Sequence, residues 1–421
     1  MSSNRTSTLA FTFGFTALAL TSAGCKVYDA QLLDMDAAET PDASAPMDAP
    51  VLMPSRQPPE RPPIPADDIF LTPLTYALRN SLLDQGTGWS RIGYDLDGLT
   101  TSAATDFATQ CTPPGAERPP IDGVDGTDNV FGGRLFPLVN AVVPGLQDTA
   151  RRAQDQGIGM PIIRISEWNG EPNDSRVDCV VTTAVLSTSA DGMGTSPPVV
   201  NIVDPRTILL PDGSDAPYPT WDGMDWTWVR NDTFASNDIA RPLIRDDNAY
   251  VRDNQLVMRL PAGIQLVFPA RDLGVSVRLS EAIIVGNLTR AGGLAEITIT
   301  GRWSVVNLLA TAQAVGICAG STQYNLLESQ LNTFADIRSV PPGPGAMNLT
   351  CDAVSVAVTF QGSPIRIAGL VRGLDVIDQC ANMGDAGVDA GGSDAGVDAF
   401  VPPDAFTSPD ARSAPDAPDA R

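Results

Sequence analysis

Histidine is absent from the 421 residues, and lysine occurs once, at Lys26. The first absence excludes Ser-His-Asp and Cys-His catalytic pairs and any imidazole-ligated zinc or iron. The second removes a Schiff-base lysine and a phosphate-binding P-loop lysine from everything beyond the N-terminal segment. Positive charge is scarce throughout: 27 Lys+Arg face 50 Asp+Glu, for a formal net charge of −23. Residues 26–68 and 384–421 each carry −6, and residues 69–383 keep −12. There is no basic footprint for DNA or RNA, and no glycine loop has nucleotide-binding spacing. What remains is carboxylate, hydroxyl and arginine chemistry, or a hard cation held by oxygen. The sequence leans away from an enzyme.

Long apolar runs are also lacking. The run Leu9–Leu20 is too short to span a bilayer, which takes about 20 residues. Arg5 before it and the small residues Ser22-Ala23-Gly24 after it complete the pattern of a secretory signal peptide over 1–24. The end of that segment, Ala23-Gly24-Cys25, resembles the lipobox of secreted bacterial lipoproteins, with Ser22 where leucine is usual. The resemblance implies lipidation of Cys25, a membrane partner through that anchor, and a cell-envelope address. Lys26, in place of aspartate after the cysteine, implies the outer membrane. Residues 25–68 and 384–421 are rich in Pro, Ala and Asp and lack the apolar surface that would offset the entropy of ordering. They are expected to be a disordered linker and tail, and the Asp-Ala-Gly repeats of the tail resemble the linkers of the same lipoproteins.

The body is residues 69–383, one domain or two lobes at about 69–205 and 206–383. Pro73 predicts a helix start, with Leu74, Ala77, Leu78 and Leu82 on one face. A second helical region follows Asp128, with Leu135, Leu138, Val139 and Val142, and a third covers Gln147–Gln156. Beyond it the period becomes two: Ile162–Ile165, Val177–Leu186, and Gln255–Phe268 as a hairpin about Pro261-Ala-Gly263. Strands are expected at Val275–Leu279, Ile283–Leu288, Ile297–Ile299, Val354–Phe360 and Ile365–Val371, with helices at Val305–Val315 and Tyr324–Ile337. The fold class is mainly β: an antiparallel, sandwich-like body with a few helical insertions. This order of elements is similar to that of uncharacterised secreted lipoproteins, a resemblance that implies no activity.

Beyond Cys25, five cysteines remain, at 111, 179, 318, 351 and 380, none with C-x-x-C spacing. Export favours disulfides over metal binding. Cys318 and Cys351 flank the second helix of the insertion and are the first expected pair, Cys111 and Cys179 the second, leaving Cys380 as the odd thiol.

Two segments are candidate sites. Asp122, Asp125 and Asp128, separated by glycines, can wrap Ca²⁺, with Asp95 and Asp97 as further oxygens. The same Asp-Gly pairs also make turns, and Asp128 can cap a helix. Apart from this calcium no cofactor is expected. Trp221, Asp222, Asp225, Trp226 and Trp228 interleave rings and carboxylates as a sugar-binding face does. Trp226 and Trp228 would equally serve as strand core. A glycosidase would need two carboxyls about 5–9 Å apart, and Asp222/Asp225 or Glu281/Glu296 are the candidates. The leading expectation is a lipid-anchored envelope protein with a non-enzymatic binding or structural role. The alternative is a carbohydrate-binding or carbohydrate-active module with polysaccharide as partner.

Overall fold

The structure, a computed structural model, describes residues 55–64 and 71–380, apart from 104–108, 143, 190–195, 205–206, 261–263, 271–272, 290, 344–345, 347–348, 374 and 376–377. The signal segment, Cys25 and the tail 384–421 lie outside the described residues.

Among the described residues, thirteen strands and four α-helices alternate unevenly. The strands are β1 (Leu74–Leu82), β2 (Pro161–Ser166), β3 (Asp174–Thr188), β4 (Asn201–Asp204), β5 (Thr207–Leu209), β6 (Trp226–Arg230), β7 (Arg245–Arg252), β8 (Gln255–Arg259), β9 (Ile264–Ala270), β10 (Leu273–Leu288), β11 (Leu294–Ser304), β12 (Ala353–Pro364) and β13 (Arg366–Val371). The helices are α1 (Phe136–Val142), α2 (Leu146–Asp155), α3 (Val305–Ala314) and α4 (Thr322–Phe334). The body is mainly β and antiparallel, as expected.

Its main sheet joins its own edges. Strands run in the order β3-β2-β1-β12-β11-β10-β8-β7, and β7 pairs back onto β3, which closes an eight-stranded barrel. Closure leaves no free edge within those eight strands, where an open sheet would offer unpaired amides. Strands of the two proposed lobes pair directly, β1 with β12 and β3 with β7, so the body is one unit. Outside the ring, β6 and β13 extend from the far half of β3, and β9 pairs with the first half of β10.

Period two sorts the core. Tyr76 and Leu78 of β1, Ile163 and Ile165 of β2, Leu256 and Met258 of β8 and Ile284 of β10 join one large cluster fed by all eight strands, the lumen. Their strand neighbours face outward. Ala77 and Ile162 pack with Val229 and Phe234, while Val257, Ile283 and Val285 pack with Tyr250, Tyr94 and Leu96. The helices α3 and α4 have serine N-caps, with Ser304 and Ser321 accepting from Asn307 N and Tyr324 N.

Four expectations need correction. Residues 74–82 are strand, not helix: a strand buried on both faces puts apolar residues at 74, 77 and 78 and so imitates helical spacing. The segment 255–268 is not a hairpin, because β8 pairs with Ile283–Asn287 of β10 and β9 with Leu273–Leu279. A bulge at Glu281, with φ of 49°, separates the two halves of β10. Residues 55–64, assigned to the linker, lie on the barrel with Pro58 and Pro62 buried. Finally, the disulfides join Cys111 to Cys351 and Cys318 to Cys380. The odd thiol is Cys179, buried in β3, rather than Cys380. Pairing across 240 residues follows barrel topology, which sequence spacing does not display.

Candidate functional site

On β11 and β12, Arg302 and Ser355 point away from the lumen, being neighbours of the inward Trp303 and Val354. They are nevertheless buried, at 2% and 0% exposure, because the loops carrying Asp95–Asp97, Asp122–Asp128 and Asp336 cover this part of the outer face. The loops interlock through their aspartates. Asp128 N donates to Tyr94 O at 3.1 Å and its Oδ2 accepts from Leu96 N at 2.7 Å. Asp122 N donates to Thr101 O at 3.0 Å, and Asp122 Oδ2 accepts from Thr101 N at 2.5 Å. Asp95 Oδ1 accepts from the amides of Asp97 and Gly98. Glycine is required at Gly123, where a Cβ would lie 2.3 Å from Ser90 O. At Gly126, φ is +71° and a Cβ would meet Thr100 Oγ1 at 2.9 Å.

One oxygen each from Asp95, Asp97 and Asp128 lies within 4.8 Å of the others. Asp122 faces the same group electrostatically. Asp125 is exposed and stands in a left-handed turn with φ of 56°. The expected set therefore contributes Asp128 to the cluster and Asp122 to its edge, with Asp95 and Asp97 as closer partners. Asp128 does not cap the helix that follows, since its carboxylate ties the two loops together.

Burial governs the electrostatics. Loss of water raises Asp122 to about 8, reinforced by Asp336, Asp97 and Asp95 and opposed by the Thr101 amide. Burial likewise raises Asp97 to about 6, with Asp95 reinforcing. Asp336, fully enclosed, is raised to about 7 although it accepts from Ser355 N at 2.8 Å and Ser355 Oγ at 2.5 Å. Asp128 is pushed well above the carboxylate range by burial and by Asp97, Asp336 and Asp122. Arg302 is the cation among them. It donates to Leu96 O, to Gln110 Oε1 at 3.1 Å and to Arg338 O at 2.8 Å, while its Nε has no partner. Burial and mutual repulsion thus push Asp97, Asp122, Asp128 and Asp336 toward their neutral forms, with Arg302 the one guanidinium among them.

Calcium takes six to eight oxygens at 2.3–2.6 Å. Asp95, Asp97 and Asp128 could offer it three carboxylates, but Leu96 N, Leu99 N and Gly98 N already occupy lone pairs on them. The donor set suits a hard cation by type; its existing hydrogen bonds and the neighbouring Arg302 also make it a self-sufficient polar core.

The tryptophan segment is placed differently. Trp226 and Trp228 are buried on β6, packed with Val185, Leu186 and Ile208. Asp225 is fully buried and accepts from the amides of Thr220 and Trp221. Asp222 is exposed and accepts from Met224 N. Trp221 is half-buried beneath Arg79, whose guanidinium lies 3.9 Å from the ring centroid and also binds Asp155. Of the three rings expected to stack on a sugar, Trp226 and Trp228 are thus core. Glu281 and Glu296 sit at bulges toward opposite ends of the β10–β11 ladder, about 20 Å apart by strand rise, too far for a carboxyl pair.

Sequence reasoning missed Arg302 and Asp336. Alternation assigns Arg302 to the solvent side of β11, and only the covering loops reverse that. The chain matches no family of known proteins, no curated protein and no solved structure.

Proposed function

We propose that this is an exported, lipid-anchored protein of the bacterial cell envelope, held at the outer membrane through Cys25, with a non-enzymatic binding or structural role. The observation that carries the reading is the pair of disulfides, Cys111–Cys351 and Cys318–Cys380. Such bridges persist in oxidising compartments and are rare in the cytosol, which agrees with a short apolar leader ending at Ala23-Gly24-Cys25. One acyl chain binds membranes only marginally, so stable anchoring needs more than one. Expression in a Gram-negative host tests the reading: the wild type fractionates with membranes, and Cys25→Ser moves it to the soluble fraction. Unchanged membrane association of Cys25→Ser, or an N-terminus at another residue by mass spectrometry, would overturn it.

The second reading is a calcium-stabilised surface protein, favoured by the approach of Asp95, Asp97 and Asp128 within 4.8 Å. The polysaccharide alternative now rests on Trp221 and Asp222 alone.

A further inference from the structure

Residues 55–64, Ser-Arg-Gln-Pro-Pro-Glu-Arg-Pro-Pro-Ile, run as a strap over the outward apolar cluster of Tyr94, Leu96, Tyr250, Val257, Ile283 and Val285. At one end Arg56 stacks over the Tyr94 ring at 5.8 Å. At the other, Arg61 stacks over the Tyr250 ring at 4.8 Å. Between them the Tyr250 hydroxyl donates to Pro59 O, and Pro58 and Pro62 are buried. Backbone-to-backbone hydrogen bonds tie the strap to the body at Arg56, whose N donates to Asp125 O and whose O accepts from Asp95 N, both at 2.8 Å. Arg61 reaches the carbonyls of Ser175 and Asn248.

This is the chemistry by which aromatic grooves hold proline-rich peptides. Proline fixes φ near −65° and keeps the preceding residue extended, so little entropy is lost on docking. Here the two tyrosine rings carry the arginines, the Tyr250 hydroxyl takes a proline carbonyl, and two of the strap's prolines are buried. The pentapeptide Glu60–Ile64 recurs unchanged as Glu117–Ile121, and its first proline, Pro119, is again buried. The net charge of −12 on residues 69–383 favours an arginine-bearing occupant over an acidic one.

We propose that the outer-face groove between Tyr94 and Tyr250 is a binding site for extended, arginine-bearing proline-rich segments, occupied in cis by residues 55–64 and open to a segment of the same kind from another polypeptide when the strap is displaced. A tethered strap has an effective concentration in the millimolar range. A partner must therefore either bind more tightly than the strap or meet the protein when the strap is pulled away from its N-terminal side.

The test uses the full chain and a fluorescein-labelled peptide of residues 55–64. In the wild type the strap competes, so the peptide binds weakly. In Arg56→Ala/Arg61→Ala, which removes both stacking cations from the strap, the apparent affinity should rise at least tenfold. Adding Tyr250→Ala should then lower it at least tenfold, and the milder Tyr250→Phe, which loses only the hydroxyl, should lower it severalfold. A peptide with Pro58 and Pro62 replaced by alanine should not bind. The wild type supplies a check that needs no variant. With 10 mM unlabelled peptide, hydrogen exchange should quicken at the strap's own Arg56 amide, while the Asp95 amide, which the incoming peptide covers again, stays protected. If the strap variant binds no more tightly than wild type, if the alanine peptide binds equally, or if exchange at Arg56 is unchanged by peptide, the strap is only part of the fold and the proposal is wrong.

Discussion

Arg302 is the side chain on which the outer-face loops converge. One guanidinium binds Leu96 O, Gln110 Oε1 and Arg338 O, three acceptors from three loops. Each would cost about 1–3 kcal/mol if buried unpaired. Its carboxylate neighbours set a sharper question. If Asp95, Asp97 and Asp128 hold Ca²⁺, the ion relieves their repulsion, and stability rises by RT ln(1 + [L]/Kd), about 2.7 kcal/mol at a hundredfold excess. Extracellular sites bind at about 10⁻⁴ to 10⁻³ M, so the titration must reach tens of millimolar. The calcium reading expects a larger rise in Tm with calcium than with magnesium at equal ionic strength. It also expects Asp97→Asn, whose amide oxygen can still accept from Leu99 N, to abolish the difference. Equal shifts with the two ions would make the cluster a polar core and nothing more. At this scale the sequence displayed the aspartates but not their company. Asp-Gly spacing drew attention to 122–128, whereas Arg302 and Asp336, 174 and 208 residues after Asp128, reach the same place through strand register and a covering loop.

Among the elements, strands rich in Val, Ile and Thr were the readable ones. The segments 162–165, 177–186, 297–299 and 354–360 fall inside β2, β3, β11 and β12, and helices at 305–315 and 324–337 correspond to α3 and α4. The failures have physical causes. β1 buries both faces, so its pattern is ambiguous between periods, and Asn80, with φ of 51°, breaks its ladder with β12. For β8 and β9 the strands were right and the partner wrong, because alternation marks a strand and never says which strand lies beside it. The cysteines fail in the same way. The bridge Cys318–Cys380 ties the segment after β13 to the turn following α3, closing 62 residues. In the chain-entropy picture that closure is worth about 4 kcal/mol, and measured bridges give about 2–4. Cys318→Ser/Cys380→Ser should therefore lose about 2–4 kcal/mol in denaturant unfolding, with the Cys111–Cys351 bridge still formed. A loss below about half a kcal/mol would show that this bridge constrains little, and would favour a chain already tethered there by packing.

For the whole molecule, the buried acids link pH to stability with a definite sign. Burial raises Asp97 to about 6, Asp336 to about 7 and Asp122 to about 8, against about 3.9 for an aspartate in the unfolded chain. The folded state therefore binds more protons than the unfolded state between about pH 4 and pH 8. Where the native state holds the extra protons, stability falls as pH rises. The contribution is fully present below about pH 4 and is lost as pH climbs through 6, 7 and 8. Tm should accordingly be higher at pH 5.5 than at pH 8, by about 2–4 °C for each kcal/mol in a body of this order of size. General relief of repulsion in a chain of net charge −23 pushes in the same direction, so the pH trend by itself does not identify its source. Salt separates the two, since screening weakens interactions between exposed charges and leaves a buried cluster largely untouched. At 0.5 M NaCl the trend should persist in the wild type and flatten in Asp97→Asn/Asp122→Asn, which carries the neutral form at every pH and keeps an acceptor for Thr101 N and Leu99 N. The same variant should be more stable than wild type at pH 8 and close to it at pH 5.5. If its slope at high salt equals that of the wild type, the cluster does not hold protons at neutrality. The loops over β11 and β12 would then have to be held by fully ionised carboxylates, with Arg302 as the one cation among them.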